Sequence, residues 1–268
     1  MTDPRAMTAN DGNLPLRARV FVIGGAAETV PLCRGLLDDG ATVALALETA
    51  PRSGGAIPGG ISAAHLGQDD AALCAQMQAA DADAVIDVTH PFSDVPARAW
   101  PLCRDMGLPY LRLRRPAWEP GPGDRWTTVA DTAHAARLLP AGSRVLVTTG
   151  RGSLGGFSNL RGGHLFVRQL GPPRPVPDIR NATFRFETGP FSVAHERDVL
   201  RELGITAIVC NNSGGTTSRS KIDAARALGV PVFLRARPGL ADGTGHCAPE
   251  VDRVTAACGW FQDQAGVS

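Results

Sequence analysis

Three short stretches of this chain place glycines, with hydroxyl or cationic neighbours, directly after an apolar run. Asn212-Ser213-Gly214-Gly215 follows Thr206-Ala207-Ile208-Val209-Cys210, and the helix-patterned stretch Lys221-Ile222-Asp223-Ala224-Ala225-Arg226-Ala227-Leu228 comes next. Gly24-Gly25 follows Arg19-Val20-Phe21-Val22-Ile23, and Thr148-Thr149-Gly150-Arg151 follows Arg144-Val145-Leu146-Val147. A strand that opens through small residues into a helix presents main-chain N–H groups at its carboxyl end. With the helix dipole, these groups favour an anion. Three such turns point to a phosphorylated ligand. Lys221 is the only lysine; every other member of the Lys+Arg total of 27 is arginine. A compact ammonium stands there alone among planar guanidinium groups.

Each stretch also has a plainer reading. Gly24-Gly25-Ala26-Ala27-Glu28 lacks the full G-x-G-x-x-G fingerprint, so it is either a nucleotide turn or an ordinary tight turn. Glu48 ends the second apolar run, where an acidic residue holds a ribose diol and favours NAD, whereas Arg52-Ser53 just beyond suit the 2′-phosphate of NADP. The residues leave that choice open, beside the alternative of a solvated loop. Asp87-Val88-Thr89-His90-Pro91-Phe92 puts Thr89 and His90 at a strand's carboxyl end, with Pro91 expected at the first helical position. They form either a catalytic pair or a helix cap beside a locally bonded imidazole. Thr149, Gly150 and Arg151 offer an anion a hydroxyl, a flexible turn and a guanidinium. The candidate cofactor-binding set is Gly24, Gly25, Arg52, Ser53, Thr89, Thr149, Gly150, Arg151, Ser213, Gly214, Gly215 and Lys221. Arg112-Leu113-Arg114-Arg115 is a solvated charge run or a set of partners for substrate carboxylates.

Other chemistries lack their residues. No Gly-x-Ser-x-Gly, His-Glu-x-x-His or Gly-Lys occurs, which removes the main support for serine hydrolase, zincin and P-loop readings. His65, His164 and His246 lack metal-ligand spacing, and His134 and His195 fall on expected surface helices, so no metal is expected.

The elements that must carry these residues alternate strand and helix, as in βαβ units with a parallel sheet. Strands are expected at 18–23, 42–47, 61–66, 84–88 and 108–113, with helices near 27–38 and 70–79 and one opening at Pro91. The second half repeats the pattern, with strands at 144–148, 164–169, 182–187, 205–210 and 231–235. Its helices are expected near 130–138, 192–203 and 217–228. A last helix near 248–262 suits either half. The expected organisation is a disordered leader over 1–17, a dinucleotide-binding α/β domain over 18–116, a connection around 115–125 and a second α/β domain over 126–262. A chain of 268 residues has ample core for two such domains, and the ligand is expected in the cleft between them. The net charge of +1 implies no polyanion such as nucleic acid. Six cysteines without Cys-x-x-Cys read as free thiols of a reducing compartment. No signal-like or membrane-spanning run occurs, and the expected location is the cytoplasm.

Taken in order, the motifs resemble the NADPH-dependent precorrin-6A reductase family of cobalamin biosynthesis. The resemblance covers about residues 18–238. It rests on Gly24-Gly25 with Glu28, Asp87 to Phe92, Leu111 to Trp118, Thr148 to Arg151, Gly189-Pro190-Phe191-Ser192, Asn212 to Gly215 with Lys221, Ala224 to Val232, and Arg237-Pro238. The chain departs from the family pattern at Ala26, at Thr188 where an arginine is usual, and at Asn211 where a lysine is usual; Arg185 is a candidate stand-in. The resemblance implies two Rossmann- or flavodoxin-like domains with parallel sheets, NADPH as cofactor and an anionic tetrapyrrole as substrate. It implies hydride transfer from the nicotinamide to one ring double bond of precorrin-6A, giving precorrin-6B. The cobalt-precorrin-6A reductase of the anaerobic route is the alternative within the family. A non-catalytic two-domain binding protein and a nucleotide-responsive subunit are alternatives outside it. His90 and bound water are the two candidate proton sources, and the proton must accompany the hydride.

Overall fold

The computed structural model describes residues 18–49, 55–239 and 247–265. The leader at 1–17 and the phosphate candidates Arg52 and Ser53 lie outside the described residues. The chain divides into two compact units, one running to Arg114 and resuming at Leu240, the other spanning Arg115–Gly239.

The first unit contains β1 (Arg19–Gly24), α1 (Thr29–Asp38), β2 (Thr42–Leu47), β3 (Ala63–His65), α2 (Asp70–Ala79), β4 (Ala84–Val88), α3 (Val95–Asp105) and β5 (Tyr110–Leu113). The chain leaves at Arg114, and its later elements take the numbers β12 and α7 below. The second unit contains β6 (Trp126–Val129), α4 (Thr132–Leu138), β7 (Arg144–Val147), a 3-10 helix (Arg151–Asn159), β8 (His164–Leu170), β9 (Ala182–Glu187), α5 (Val193–Glu202), β10 (Ala207–Asn211), α6 (Ser220–Leu228) and β11 (Val232–Arg235). Back in the first unit come β12 (Glu250–Val251) and α7 (Val254–Ala265).

Each unit holds a six-stranded parallel sheet, ordered β12-β5-β4-β1-β2-β3 in the first and β6-β11-β10-β7-β8-β9 in the second. Helices cover both faces of a parallel sheet, which is why its strands read as continuous apolar runs. Val20 and Val22 of β1 pack with Leu32 and Leu36 of α1 and Phe261 of α7, while Phe21 and Ile23 pack with Leu73 and Met77 of α2 and Ala99 of α3. The second unit repeats this: Val145 and Val147 of β7 face Ala135 and Phe157, and Leu146 faces Leu200 and Ile222. Local signals set the helix ends. Asp69, Asp131 and Ser192 cap the starts of α2, α4 and α5 through side-chain oxygens, and Gly229 ends α6 in the left-handed conformation.

Three expectations are corrected. Pro91 does not open a helix; α3 begins at Val95 with Pro96 in its first turn, after a loop in which Ser93 N–H donates to the His90 carbonyl (2.8 Å). The stretch 115–125 is part of the second unit, because Trp118 is buried in its core and Asp124 takes two hydrogen bonds from Arg226, both 2.8 Å. The second domain does not run to 262. β12 pairs with β5, Glu250 takes a hydrogen bond from Arg114 (2.5 Å), and α7 packs on α1, where a methyl on Gly35 would lie 2.9 Å from Cys258 Sγ.

Candidate functional site

In each unit the strand order reverses at one point, between β1 and β4 in the first and between β7 and β10 in the second. Ligands of doubly wound sheets bind outside the carboxyl ends of the strands at such a reversal. Among the described candidates, Gly24, Gly25, Thr89 and His90 fall at the first, and Thr149, Gly150, Arg151, Ser213, Gly214 and Gly215 at the second.

At the first reversal the turn after β1 is tight. A methyl on Gly24 would lie 2.6 Å from Thr29 Cγ2, and one on Gly25 would lie 3.1 Å from Glu48 Oε2 and 3.6 Å from Thr89 Cα. The Gly25 N–H donates to Thr29 Oγ1 (3.1 Å) and the Ala26 N–H to the Val88 carbonyl (3.0 Å). These two amides serve the turn itself, not an anion. Asp87 is wholly buried and organises the end of β4. Its Oδ1 accepts from the Thr89 N–H (2.9 Å) and the Thr89 hydroxyl (2.7 Å), and its Oδ2 from the Tyr110 hydroxyl (2.9 Å). Burial pushes the Asp87 carboxyl above its ordinary range, against the pull of these bonds and of the Arg112 charge. The Thr89 hydroxyl is therefore committed to Asp87 and does not act as an acid. His90 accepts at Nδ1 from the Phe92 N–H (3.2 Å), so the neutral ring carries its proton on Nε2. Glu48, at the end of β2, accepts at Oε1 from the Ser93 hydroxyl (2.8 Å).

At the second reversal Thr149 Oγ1 lies 2.7 Å from Ser153 Oγ, which donates to the Gly150 carbonyl (2.9 Å). Gly150 has φ 88°, a conformation suited to glycine, and leads into the 3-10 helix. Arg151 Nε donates to Gln169 Oε1 (3.1 Å). Arg151 Nη2, Thr148 Oγ1 and Asn211 Oδ1 are buried without a hydrogen-bond partner among the described residues. Each belongs to a residue at or just beyond the carboxyl end of β7 or β10.

The turn after β10 is knotted to residues 115–118. Arg237 donates from Nε to the Asn212 carbonyl (2.7 Å), from Nη1 to the Arg115 carbonyl (2.6 Å) and from Nη2 to the Pro116 carbonyl (3.0 Å). Arg115 Nε donates to the Ser213 carbonyl (2.9 Å) and Trp118 Nε1 to the Gly215 carbonyl (2.7 Å). The Asn212 amide and the Trp118 main chain exchange two bonds, of 2.8 and 3.0 Å. A methyl on Gly214 would sit 2.1 Å from the Pro116 carbonyl oxygen, and one on Gly215 would sit 2.9 Å from Arg115 Cδ. The close approach that these glycines permit is made by the chain's own backbone. In a trans peptide the N–H points opposite the carbonyl, so donors on the Ser213 and Gly215 carbonyls turn the Gly214 and Thr216 amides to the other side.

Lys221 leaves the candidate set. It is buried on α6, donates from Nζ to the Ser218 carbonyl (2.7 Å) and lies 5.4 Å from the centre of the Trp118 ring. Burial lowers its pKa, with the buried charges of Glu196 and Arg168 nearby. Arg168 grips Glu196 through two bonds (2.7 and 2.9 Å), contacts Glu187 through Nε (2.7 Å), and stands over the Phe191 ring of the Gly-Pro-Phe motif. Arg185, the candidate stand-in for the usual arginine at 188, donates from Nε to Glu187 (2.8 Å). The basic cluster also turns inward. Arg112 is buried against Glu250, Arg114 bonds Glu250, and Arg115 bonds the Ser213 carbonyl. Sequence reasoning missed the roles of Asp87, Ser93, Arg168, Glu196 and Arg237. A charge inside an apolar strand, as in Ala84-Val85-Ile86-Asp87-Val88, was the available signal for Asp87. Among the described residues, no group of His, Cys, Asp and Glu could hold a metal ion, and no helix is long and apolar enough to cross a membrane.

Two doubly wound parallel units with polar turns at their strand reversals define a protein of the Rossmann-like α/β class. Within that class the chain belongs to the precorrin-6x reductase CbiJ/CobK family, whose model matches residues 19–262. The precorrin-6A reductase of Rhodococcus erythropolis is 36% identical over 245 residues, covering 90% of this chain and 96% of the relative. That of Rhodobacter capsulatus is 34% identical over 262 residues, covering 91% and 96%. The solved structure of CobK precorrin-6A reductase superposes with a TM-score of 0.78 at 30% identity, over 92% of this chain and 97% of that one. The chain is thus an oxidoreductase of the precorrin-6A reductase family of cobalamin biosynthesis, with a nicotinamide cofactor implied.

Proposed function

We propose that this chain reduces one ring double bond of precorrin-6A to give precorrin-6B, with NADPH as the reductant. The observation that carries this reading is the family match across nearly the whole described chain and nearly the whole of its relatives. The site's chemistry supports a dinucleotide and an anionic macrocycle. The buried Arg151 Nη2 and Thr148 hydroxyl are donors awaiting an acceptor, and Asn211 Oδ1 is an acceptor awaiting a donor. Arg151, Thr149 and the amide side of the 213–215 turn would hold anionic groups in the second unit. The Gly24-Gly25 turn with Glu48 would receive the nucleoside end in the first.

When bound, the reduced nicotinamide supplies the hydride. The chain's own residues orient the reactants and provide the proton. Asp87 fixes Thr89, and His90 follows it with a proton on Nε2. A neutral imidazole is too weak an acid for this step, so we assign it to the His90 imidazolium: a solvent proton taken up at Nδ1 releases the Phe92 bond, and Nε2 delivers its proton to the reduced ring.

The test is reduction of precorrin-6A monitored by loss of reduced-nicotinamide absorbance and by the product's gain of two hydrogen atoms. Consumption of NADPH strictly dependent on precorrin-6A is the expected result. No consumption by folded chain with either metal-free or cobalt-loaded substrate defeats the proposal. Turnover undiminished in His90→Gln removes His90 as the proton donor and leaves water.

A further inference from the structure

Glu48 presents a contradiction that the sequence left open. A carboxylate at the end of β2 favours the free ribose diol of NADH and repels a 2′-phosphate. The structure shows that this carboxylate is restrained. Its Oε1 accepts from the Ser93 hydroxyl (2.8 Å), and its Oε2 lies against Gly25, 3.1 Å from where a methyl would stand. The main chain of Glu48 is fixed too, because its N–H donates to the Gly24 carbonyl (2.9 Å). Ser93 is in turn fixed by its own N–H on the His90 carbonyl (2.8 Å) and by the Val95 N–H on its Oγ (3.1 Å). A hydroxyl with its backbone and its acceptor side both engaged has little freedom to release Glu48.

We propose that Ser93 is a positioning residue for cofactor selection. It latches Glu48 against the β1 turn, so that the carboxylate is kept from the ribose 2′ position and the site admits a 2′-phosphorylated dinucleotide. The inference rests on the dinucleotide reading above. Two further observations agree with it. Burial raises the Glu48 pKa, helped by the nearby Asp87 and Asp94 charges and opposed by the Ser93 bond, as expected of a carboxylate held inward against the turn. The latch also bridges the carboxyl end of β2 and the loop after β4, the two strands that flank β1.

The experiment is a fluorescence titration of NADPH and of NADH against the parent chain, Ser93→Ala, Glu48→Gln and the double variant, with thermal melts alongside. Ser93→Ala releases the carboxylate, and the NADPH-to-NADH affinity ratio is expected to fall about tenfold. Glu48→Gln removes a carboxylate that the latch already holds away from the ribose, and the ratio is expected to stay within about twofold of the parent. In the double variant the fall caused by Ser93→Ala should vanish, because Ser93 acts only through Glu48. A merely structural serine would weaken both dinucleotides equally and leave the ratio where it was. An unchanged ratio in Ser93→Ala, or a fall that persists in the double variant, overturns the inference. Should Ser93→Ala not fold, Ser93→Cys takes its place, and an unchanged ratio there overturns the inference instead. If the parent chain binds neither dinucleotide, the cofactor reading itself is defeated and this inference with it.

Discussion

The two strand reversals share a topology and differ in how their polar atoms are satisfied. In the first unit the circuit is nearly closed. Gly25 and Ala26 give their amides to Thr29 and Val88, Asp87 takes three donors, and Glu48 takes Ser93. In the second unit Thr148 Oγ1, Arg151 Nη2 and Asn211 Oδ1 remain buried and unpaired among the described residues. An unsatisfied buried polar group costs about 1–3 kcal/mol, and the second reversal carries these three, whereas the first unit has Arg112 Nη2 on the strand beside Asp87. The first is a preformed surface to be read from outside. The second is an incomplete hydrogen-bond network. A ligand should therefore stabilise the chain chiefly through the second unit.

The largest test of this contrast lies in the glycines. Gly214 has φ 68°, and its methyl would overlap the Pro116 carbonyl at 2.1 Å. Gly214→Val should cost at least about 3 kcal/mol, combining backbone strain with a clash against main chain, and leave little folded protein. Gly25→Ala meets the latched Glu48 carboxylate at 3.1 Å, with Glu48 Cβ and Thr89 Cα at 3.6 Å, and should lose about 1 kcal/mol, less than Gly214→Val, while weakening the dinucleotide. Thermal melts and titrations of the two variants decide the matter; a folded, stable Gly214→Val breaks the knot described around residues 115–118.

Next in size is the buried ammonium. Lys221 has its folded pKa lowered from 10.5 by burial. Between that lowered value and 10.5 the unfolded chain binds more protons, so this residue makes stability rise with pH through the window. The thiols work the other way, because burial lifts Cys33, Cys210 and Cys258 to about 11 and their stabilisation is lost as pH climbs above 9.0. Lys221→Met cancels the first trend and keeps the second. Urea denaturation should show the variant as stable as the parent or up to about 2 kcal/mol more stable near neutrality, with the gap closing as pH rises. A loss near neutrality that shrinks as pH rises past 10.5 returns Lys221 to the role of a needed cation.

How far the sequence announced this arrangement depends on range. Strands such as Thr42–Leu47, Ala84–Val88 and Ala182–Glu187, and the helix Asp70–Ala79, were legible to the residue, because apolar runs and a capping aspartate are local signals. β12 was not, since two residues, Glu250 and Val251, are a strand only through pairing with β5. β6 was hidden for the same reason, its ladder to β11 joining residues more than a hundred positions apart. The glycines of the 212–215 turn were seen and misattributed. Positive φ and close approach were implied, but sequence does not say whether a ligand or Pro116 makes the approach. Asp87 was quoted within a motif while its function lay in Thr89 and Tyr110, the latter 23 residues away.

A middle-sized test addresses the open network directly. Arg151→Met removes an unpaired buried nitrogen along with one bond to Gln169. Without ligand the variant should be within about 0.5 kcal/mol of the parent. With NADPH or substrate its affinity should fall about tenfold, the loss of one charge-assisted bond. Thermal shift with and without ligand separates these. A variant that loses stability but keeps affinity places Arg151 in the framework and closes the second reversal as tightly as the first.

The smallest effect sharpens the first reversal. Thr89→Val and Tyr110→Phe each delete one hydroxyl donor to the same carboxylate, at 2.7 and 2.9 Å. Each should lower stability by a similar amount, about 1 kcal/mol, because each leaves Asp87 one bond short in the same buried setting. Their consequences for turnover should differ. Thr89 joins directly to His90, and its hydroxyl and N–H both pin that corner to Asp87. Tyr110 touches Asp87 from the neighbouring strand and leaves the corner's own two bonds in place. Turnover per folded molecule should therefore fall several-fold in Thr89→Val, roughly the effect of loosening a donor by part of an ångström, and remain at the parent level in Tyr110→Phe. If the two variants lose turnover equally, Asp87 supports the sheet as a whole and the imidazole does not depend on that corner. If neither loses any, His90 is placed independently of Asp87, with the Phe92 and Ser93 bonds among its anchors, and the proton assignment must stand on His90→Gln.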